Sequence, residues 1–129
     1  MVIFEGWCVG AKPQTKDQLA DPINALEASD DPDGVWRRYV NRQLGEPYQS
    51  LFARLDSLIL LAAPGFDVVQ AWRTEQEAKL RARTGRGMTE SEVARFVLHY
   101  ERLTRWILQE MPDRADWTIP LDAARRPQV

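Results

Sequence analysis

The sequence predicts an α/β domain built on a parallel sheet, and three observations carry that expectation. Apolar runs at Val2-Ile3-Phe4 and Ser57-Leu58-Ile59-Leu60-Leu61-Ala62, with a shorter one at Trp117-Thr118-Ile119-Pro120-Leu121, have the composition of buried strands. Long stretches with apolar residues three and four apart lie between them, the spacing of amphipathic helices. The order is strand, loop and helices, strand, two helices, strand, with no internal repeat.

Composition bounds the function. At 129 residues the chain is one domain, and 44% hydrophobic with 28% charged residues is a globular balance. Seventeen basic residues against nineteen acidic give a net charge of −2, which argues against nucleic-acid binding by bulk electrostatics. No apolar run approaches the ~20 residues of a membrane span, so no membrane partner is expected. The N-terminus has no basic region followed by a long apolar core, so a cytoplasmic location is expected. Cys8 is the single cysteine and His99 the single histidine. An internal disulfide is therefore impossible, and a Ser-His-Asp triad or multi-histidine metal site has almost no material.

Taken in order, the first run leads into Glu5-Gly6-Trp7-Cys8-Val9-Gly10. A strand over residues 2–5 places the Glu5 carboxylate at its carboxyl end, where open α/β sheets hold ligands. The alternative is a solvated acid. Gly6 and Gly10 permit sharp turns. Residues 11 to 34, punctuated by Pro13, Pro22, Pro32 and Gly34, read as a long ordered loop with one helical turn. Asp30-Asp31-Pro32-Asp33 reads as a helix start. Trp36, Tyr39, Val40, Leu44, Tyr48, Leu51, Phe52 and Leu55 make an amphipathic stripe broken near Gly45 and Pro47, with Arg37, Arg38 and Arg42 on a solvated face.

The second strand covers 57–62 and closes at Ala63-Pro64-Gly65. Phe66, Val69, Trp72 and Leu80 mark the next helix, with Glu75–Lys79 and Glu77–Arg81 as i,i+4 pairs. Residues 83–88 interrupt it, and Thr89 with Glu92 is a capping-box pattern that starts another helix. Val93, Phe96, Val97, Tyr100, Leu103, Ile107 and Met111 form its stripe, ended by Pro112. Pro120 marks the third strand as an edge, and Arg125-Arg126-Pro127-Gln128-Val129 reads as a frayed tail.

Few groups carry chemistry by themselves. Gly85-Arg86-Gly87 follows a helix and lacks a Lys-Ser/Thr ending, so it reads as a helix–helix turn. Arg81, Arg83 and Arg86 around it are either a solvated hinge or a clamp for the charge on a transferring phosphoryl group. Cys8 has no histidine beside it to activate a thiolate, which favours structural burial.

Six groups of residues, in this order, resemble the D-glycerate 3-kinase family: Glu5–Gly10; Pro22-Ile23-Asn24-Ala25-Leu26-Glu27; Trp36-Arg37-Arg38-Tyr39-Val40-Asn41; Ala62-Ala63-Pro64-Gly65-Phe66; Trp72-Arg73 with Gln76-Glu77; and Ala94-Arg95-Phe96 running into His99-Tyr100-Glu101-Arg102-Leu103-Thr104-Arg105. That family belongs with the P-loop kinases, near the uridine kinases and phosphoribulokinases, and the resemblance runs from Val2 to about Arg125. It implies ATP- and magnesium-dependent phosphorylation of a hydroxyl on a small organic acid. By resemblance, Glu5 is the acid of a Walker B-like strand, acting on magnesium or its water. Residues 66–110 resemble a helical lid carrying Arg73, Arg81, Arg83 and Arg86. Trp7, Lys12, Asn24 and Arg73 are candidates to face the acceptor, and Asp122 and Arg125 lie near the nucleotide base.

The family pattern also requires Gly-x-x-x-x-Gly-Lys-Ser/Thr, which these 129 residues do not contain. The resemblance thus implies the C-terminal portion of a three-layer P-loop kinase fold, residues 1–129 forming one partial domain with the central P-loop strand missing. The chain is expected to be inactive alone, and catalytic only if a separate polypeptide supplies the P-loop half. The alternative expectation is a non-catalytic fragment or interaction module binding a partner through its exposed sheet edge.

Overall fold

Two parallel strands, β1 (Ile59–Ala62) and β2 (Trp117–Pro120), form the sheet of the computed structural model, which describes residues 1–128. Their register pairs Ile59 with Trp117 and Ala62 with Pro120. Backbone bonds from Trp117 N–H to Leu58 O (3.3 Å) and from Leu121 N–H to Ala62 O (2.8 Å) bracket the ladder. The Asp116 carboxylate fixes the start of β1 by accepting from the Leu58 amide at 2.6 Å.

The helices surround one side of this sheet. In chain order they are α1 (Ala25–Asp30), α2 (Val35–Gly45), α3 (Pro47–Phe52), α4 (Asp67–Thr84) and α5 (Glu90–Glu110), preceded by a 3-10 turn at Asp17–Leu19. The α2–α3 break falls at Gly45 and Pro47, with proline at the start of α3 where its missing N–H costs nothing. Gly85 ends α4 in the left-handed conformation, and Thr89 and Glu92 close the expected capping box on α5. Ala11, Leu44, Leu60, Leu103, Ile107 and Met111 form the main core, and Phe66, Val93 and Val97 a second between α4 and α5.

Residues 2–5 do not form the expected strand. They run without regular structure, with Val2 and Ile3 92% and 80% exposed. A strand needs a neighbour for its backbone donors and acceptors, and β1 takes β2 as its only partner among the described residues. Residues 2–5 make no ladder with residues 57–62. Order begins at the turn that follows. Gly10 adopts φ +77°, where a side chain would also meet Leu58 at 2.7 Å, and Arg114 at the far end of α5 donates to its carbonyl.

Other expectations change in detail. The loop over 11–34 contains both the 3-10 turn and α1, and the Asp30–Asp33 segment ends α1 rather than opening α2. Asp31 still acts as a cap from outside, because its carboxylate accepts from the Trp36 and Arg37 amides of α2 at 2.8 and 3.0 Å. The stripe on α2 and α3 mostly faces outward: Leu44 is buried, but Trp36, Tyr39, Val40, Tyr48 and Leu51 are exposed. Arg37, read as solvated, is buried. It donates to the carbonyls of Leu19, Ala20 and Asp31 and pairs with the Asp31 carboxylate. Glu77 pairs with Arg73 instead of Arg81, and its other oxygen accepts from the Met88 amide at 2.9 Å. The tail is not frayed over 125–128: Leu121 bridges Pro127, and Gln128 N–H bonds to Pro120 O at 2.8 Å. Val129 of the expected frayed tail lies outside the described residues.

Candidate functional site

The carboxyl end of β1 opens into a groove of about 400 Å³ between α4, α5 and the segment that begins at Trp7. Leu60, Leu61 and Ala63 supply its apolar base, and α4 and α5 supply its two walls. Successive turns of α5 present Phe96, Tyr100 and Thr104 on one face, four residues apart, as helix geometry requires. These side chains hold a relay of contacts. The Trp7 indole meets Tyr100 edge-on with centroids 4.8 Å apart and donates from Nε1 to Thr104 Oγ1 at 2.9 Å. Tyr100 in turn packs on Phe96 at 5.0 Å, and the Arg73 guanidinium lies 5.0 Å over the Phe96 ring.

Arg73 is the one cationic side chain in the groove lining. Its Nη1 donates to Gln76 Oε1 at 3.1 Å and its Nη2 to the buried carboxylate of Glu77, while Nε is buried with no partner. An orphaned donor in an apolar setting costs free energy until an acceptor arrives. Among the described residues it is the one buried side-chain polar atom left without a bond. Its burial means that an acceptor in the groove would reach it only after the Arg73 side chain shifts.

The predicted site residues divide into groups. Trp7 and Arg73 both line the groove, at opposite ends of the Tyr100–Phe96 relay. Glu5 stands two residues before Trp7 on the exposed, unpaired segment. Lys12 is exposed, and its carbonyl accepts from Trp106 Nε1 at 2.9 Å. Asn24 caps α1 by accepting from the Glu27 amide and donates to Leu98 O and Glu101 Oε2, each at 3.0 Å. All its hydrogen bonds therefore serve the α1–α5 junction. Asn24→Ala is expected to lower the chain's stability by about 1–2 kcal/mol, read as a shift in the denaturation midpoint, because a cap and its cross-helix bonds are lost together.

Arg81, Arg83 and Arg86 are exposed around the α4–α5 turn and form no ion pair among the described residues. Gly87 at that turn has φ +154° and no room for a Cβ, which would fall 2.9 Å from Arg81 Cγ. Asp122 organises the tail by accepting from the Ala124 and Arg126 amides, which with the Arg126 guanidinium hold its carboxyl below the usual carboxylate range. Arg125, at φ 64°, pairs with Glu75 and lies 5.4 Å over Trp72, whose Nε1 donates to Ala123 O. The nucleotide-binding candidates thus sit where the tail is strapped to α4. Cys8 is half-buried, and burial pushes its thiol up, against a smaller opposing effect of a backbone hydrogen bond.

No protein-family model matches the chain. Individual relatives do. The uncharacterized kinase mug58 of Schizosaccharomyces pombe is 38% identical over 99 residues, which cover 77% of this chain and 35% of that protein. The chloroplastic D-glycerate 3-kinase of Arabidopsis thaliana is 29% identical over 100 residues, 78% of this chain and 20% of that protein. Among solved structures, the D-glycerate 3-kinase from Cryptococcus neoformans matches with a TM-score of 0.77 over 98% of this chain and 47% of that one, at 21% identity. The chain is thus similar in sequence to a plant D-glycerate 3-kinase and in fold to a fungal one.

The YGR205w protein shares the fold as well, with a TM-score of 0.63 over 96% of this chain and 44% of that one, at 24% identity. The chain spans about a third or less of the length of its curated relatives and under half of each solved neighbour. The segment His99–Arg105 works on two faces of α5. Tyr100 and Thr104 face the groove, while Glu101 and Arg102 hold α1 through Asn24 and Glu27. Sequence reading missed Tyr100 and Thr104 as site residues because Tyr100 fitted a core stripe. Their shared spacing with Phe96, inside the family-like motif, was the available signal.

Proposed function

We propose that the chain is the acceptor-binding and lid-bearing portion of a kinase that transfers the γ-phosphoryl group of ATP to a hydroxyl of a small hydroxy acid, and that it is inactive alone. The observation that carries this reading is the unpartnered Arg73 Nε, on a side chain that lines the same groove at the carboxyl end of β1 as Trp7. A carboxylate in the groove would satisfy that donor once the Arg73 side chain turns it outward. Arg81, Arg83 and Arg86 would close over phosphates from the α4–α5 turn, and Asp122 and Arg125 would lie near the base.

Magnesium fits only as a companion of the nucleotide. Among the described residues no group of three carboxylate, histidine or cysteine side chains could hold a metal. An ion carried on phosphates needs only one or two protein carboxylates, and Glu5 would serve as that ligand or hold its water. Bound there, the ion would neutralise charge on the phosphates. The phosphates themselves have no cradle in this sequence, so their amides and lysine must come from elsewhere.

A second reading rests on a different observation. Ile59 and Leu61 are 58% and 61% exposed on one face of β1, whose outer edge has no partner among the described residues. Such an edge and face would also serve an interaction module. Among the described residues no helix is long and apolar enough to cross a membrane.

Phosphoryl transfer from ATP to glycerate separates the readings. The chain alone should show no turnover and no ATP binding in the millimolar range. Fused behind the P-loop-bearing segment of a relative it should turn over, with Arg73→Ala raising KM and Glu5→Gln lowering kcat more than it changes KM. Robust turnover by the chain alone would refute the need for a cradle. A folded fusion that neither binds nor phosphorylates a hydroxy acid would leave the interaction module as the better account.

A further inference from the structure

We propose that a second cavity, enclosed by α1, α2 and α5, is a binding site for a small, uncharged, planar aromatic molecule. It measures about 460 Å³, within the range of small-molecule sites, and it is separate from the groove except that Trp7 lines both. The proposal stands independently of the kinase reading.

Three features define the ligand. The floor is apolar and buried, formed by Leu19, Leu26, Leu44 and Leu103. Two indoles stand at the walls, Trp7 at 48% and Trp36 at 66% exposure, and offer ring faces and edges to a flat molecule. The charges in the wall are paired, the exposed Asp30 with Arg95 at 2.7 Å and the others among themselves. Arg102 donates to both oxygens of Glu27 (2.7 and 2.6 Å) and to the carbonyls of Gln18 and Asp21. Arg37 is committed to Asp31 and to the carbonyls of Leu19 and Ala20. Asn41 exchanges two bonds with the backbone of Gln14.

An anionic ligand would therefore have to break a buried ion pair or enter unpaired, and a cation would have to compete with Arg95 for Asp30. A neutral ring displaces only water from apolar wall. The polar groups left for it are few: the side-chain amide of Gln14, whose backbone alone takes part in these bonds, and His99, bonded through Nδ1 to Phe96 O at 3.2 Å. One hydrogen-bonding edge on the ligand matches that supply.

Indole, indole-3-carboxylate and tryptamine, titrated into the ¹⁵N-labelled full chain, share one ring and differ in charge. Indole should give saturable shifts at the Leu98 and His99 amides and at the Trp7 and Trp36 side-chain N–H signals. The two ions should bind at least tenfold more weakly. Val40→Trp, a half-exposed wall position that need not disturb folding, should abolish the shifts, and Trp36→Ala should weaken binding several-fold. Absence of saturable shifts up to the solubility of indole would overturn the proposal. Equal binding of all three probes would overturn the charge argument, and shifts centred on Ala63 and Arg73 would move the site to the groove.

Discussion

Arg37→Ala should lower the stability of the chain by about 3 kcal/mol, the largest loss expected from any single side chain in it. Arg37 and Asp31 are 6% and 8% exposed, and three carbonyls besides the Asp31 carboxylate accept from the guanidinium. Truncation leaves a buried carboxylate and those carbonyls without their donor, which costs more than the net contribution of the pair. Against a total stability on the order of 5–15 kcal/mol, that loss is roughly a fifth to three-fifths of the whole, and the denaturation midpoint should fall in proportion. An unchanged midpoint would mean that water satisfies those carbonyls and that the cluster contributes little.

The same cluster sets an acid limit. Burial alone would raise the Asp31 carboxyl, but the Trp36 and Arg37 amides and the Arg37 guanidinium hold it below the usual carboxylate range. Glu27 is likewise pushed up by burial and held down overall by Arg102 and the Ile23 amide. A folded-state value below the unfolded one means that the stabilisation is full above the unfolded pKa of about 4 and disappears as pH falls through the folded value. Unfolding followed from pH 6 to pH 2 should therefore show stability dropping below about pH 4, with a shallower slope in Asp31→Asn. Equal slopes would remove Asp31 from the account.

What the sequence made legible was local. The ends of α4 and α5 could be read because Gly85, Thr89 and Glu92 act within a few residues of themselves. The α2–α3 break was readable from Gly45 and Pro47 for the same reason. Features that depend on distant partners were not. Val2-Ile3-Phe4 has the composition of a strand, yet composition cannot supply the neighbour that makes a strand. Arg37 looked solvated because its acceptors, Leu19 O and Ala20 O, come from a turn far back in the chain. Trp7 and Arg73 were found through a family likeness, and the structure adds what that likeness did not give, the Tyr100–Phe96 relay between them.

Ile59→Lys should have opposite effects on the chain alone and on the chain completed by a P-loop-bearing segment. Leu58 O and Ala62 O bond to Trp117 and Leu121, so by the alternation of a parallel ladder the backbone groups of Ile59 and Leu61 point to the open edge. Their side chains lie on the bare face, at 58% and 61% exposure. In the chain alone a lysine at 59 touches water, changes stability by less than about 0.5 kcal/mol and blunts an aggregation-prone edge. Once a strand pairs with β1 and a helix covers that face, the same ammonium is buried without a partner, which costs several kcal/mol. Complementation should then fall at least a hundredfold, while the solubility of the chain alone rises. Hydrogen exchange gives an independent reading. The Ile59 and Leu61 amides should exchange quickly in the chain alone, with Leu60 and Ala62 protected, and should become protected on completion. A lysine variant that complements as well as the parent, or edge amides that stay fast in an active complex, would place the added strand somewhere other than beside β1.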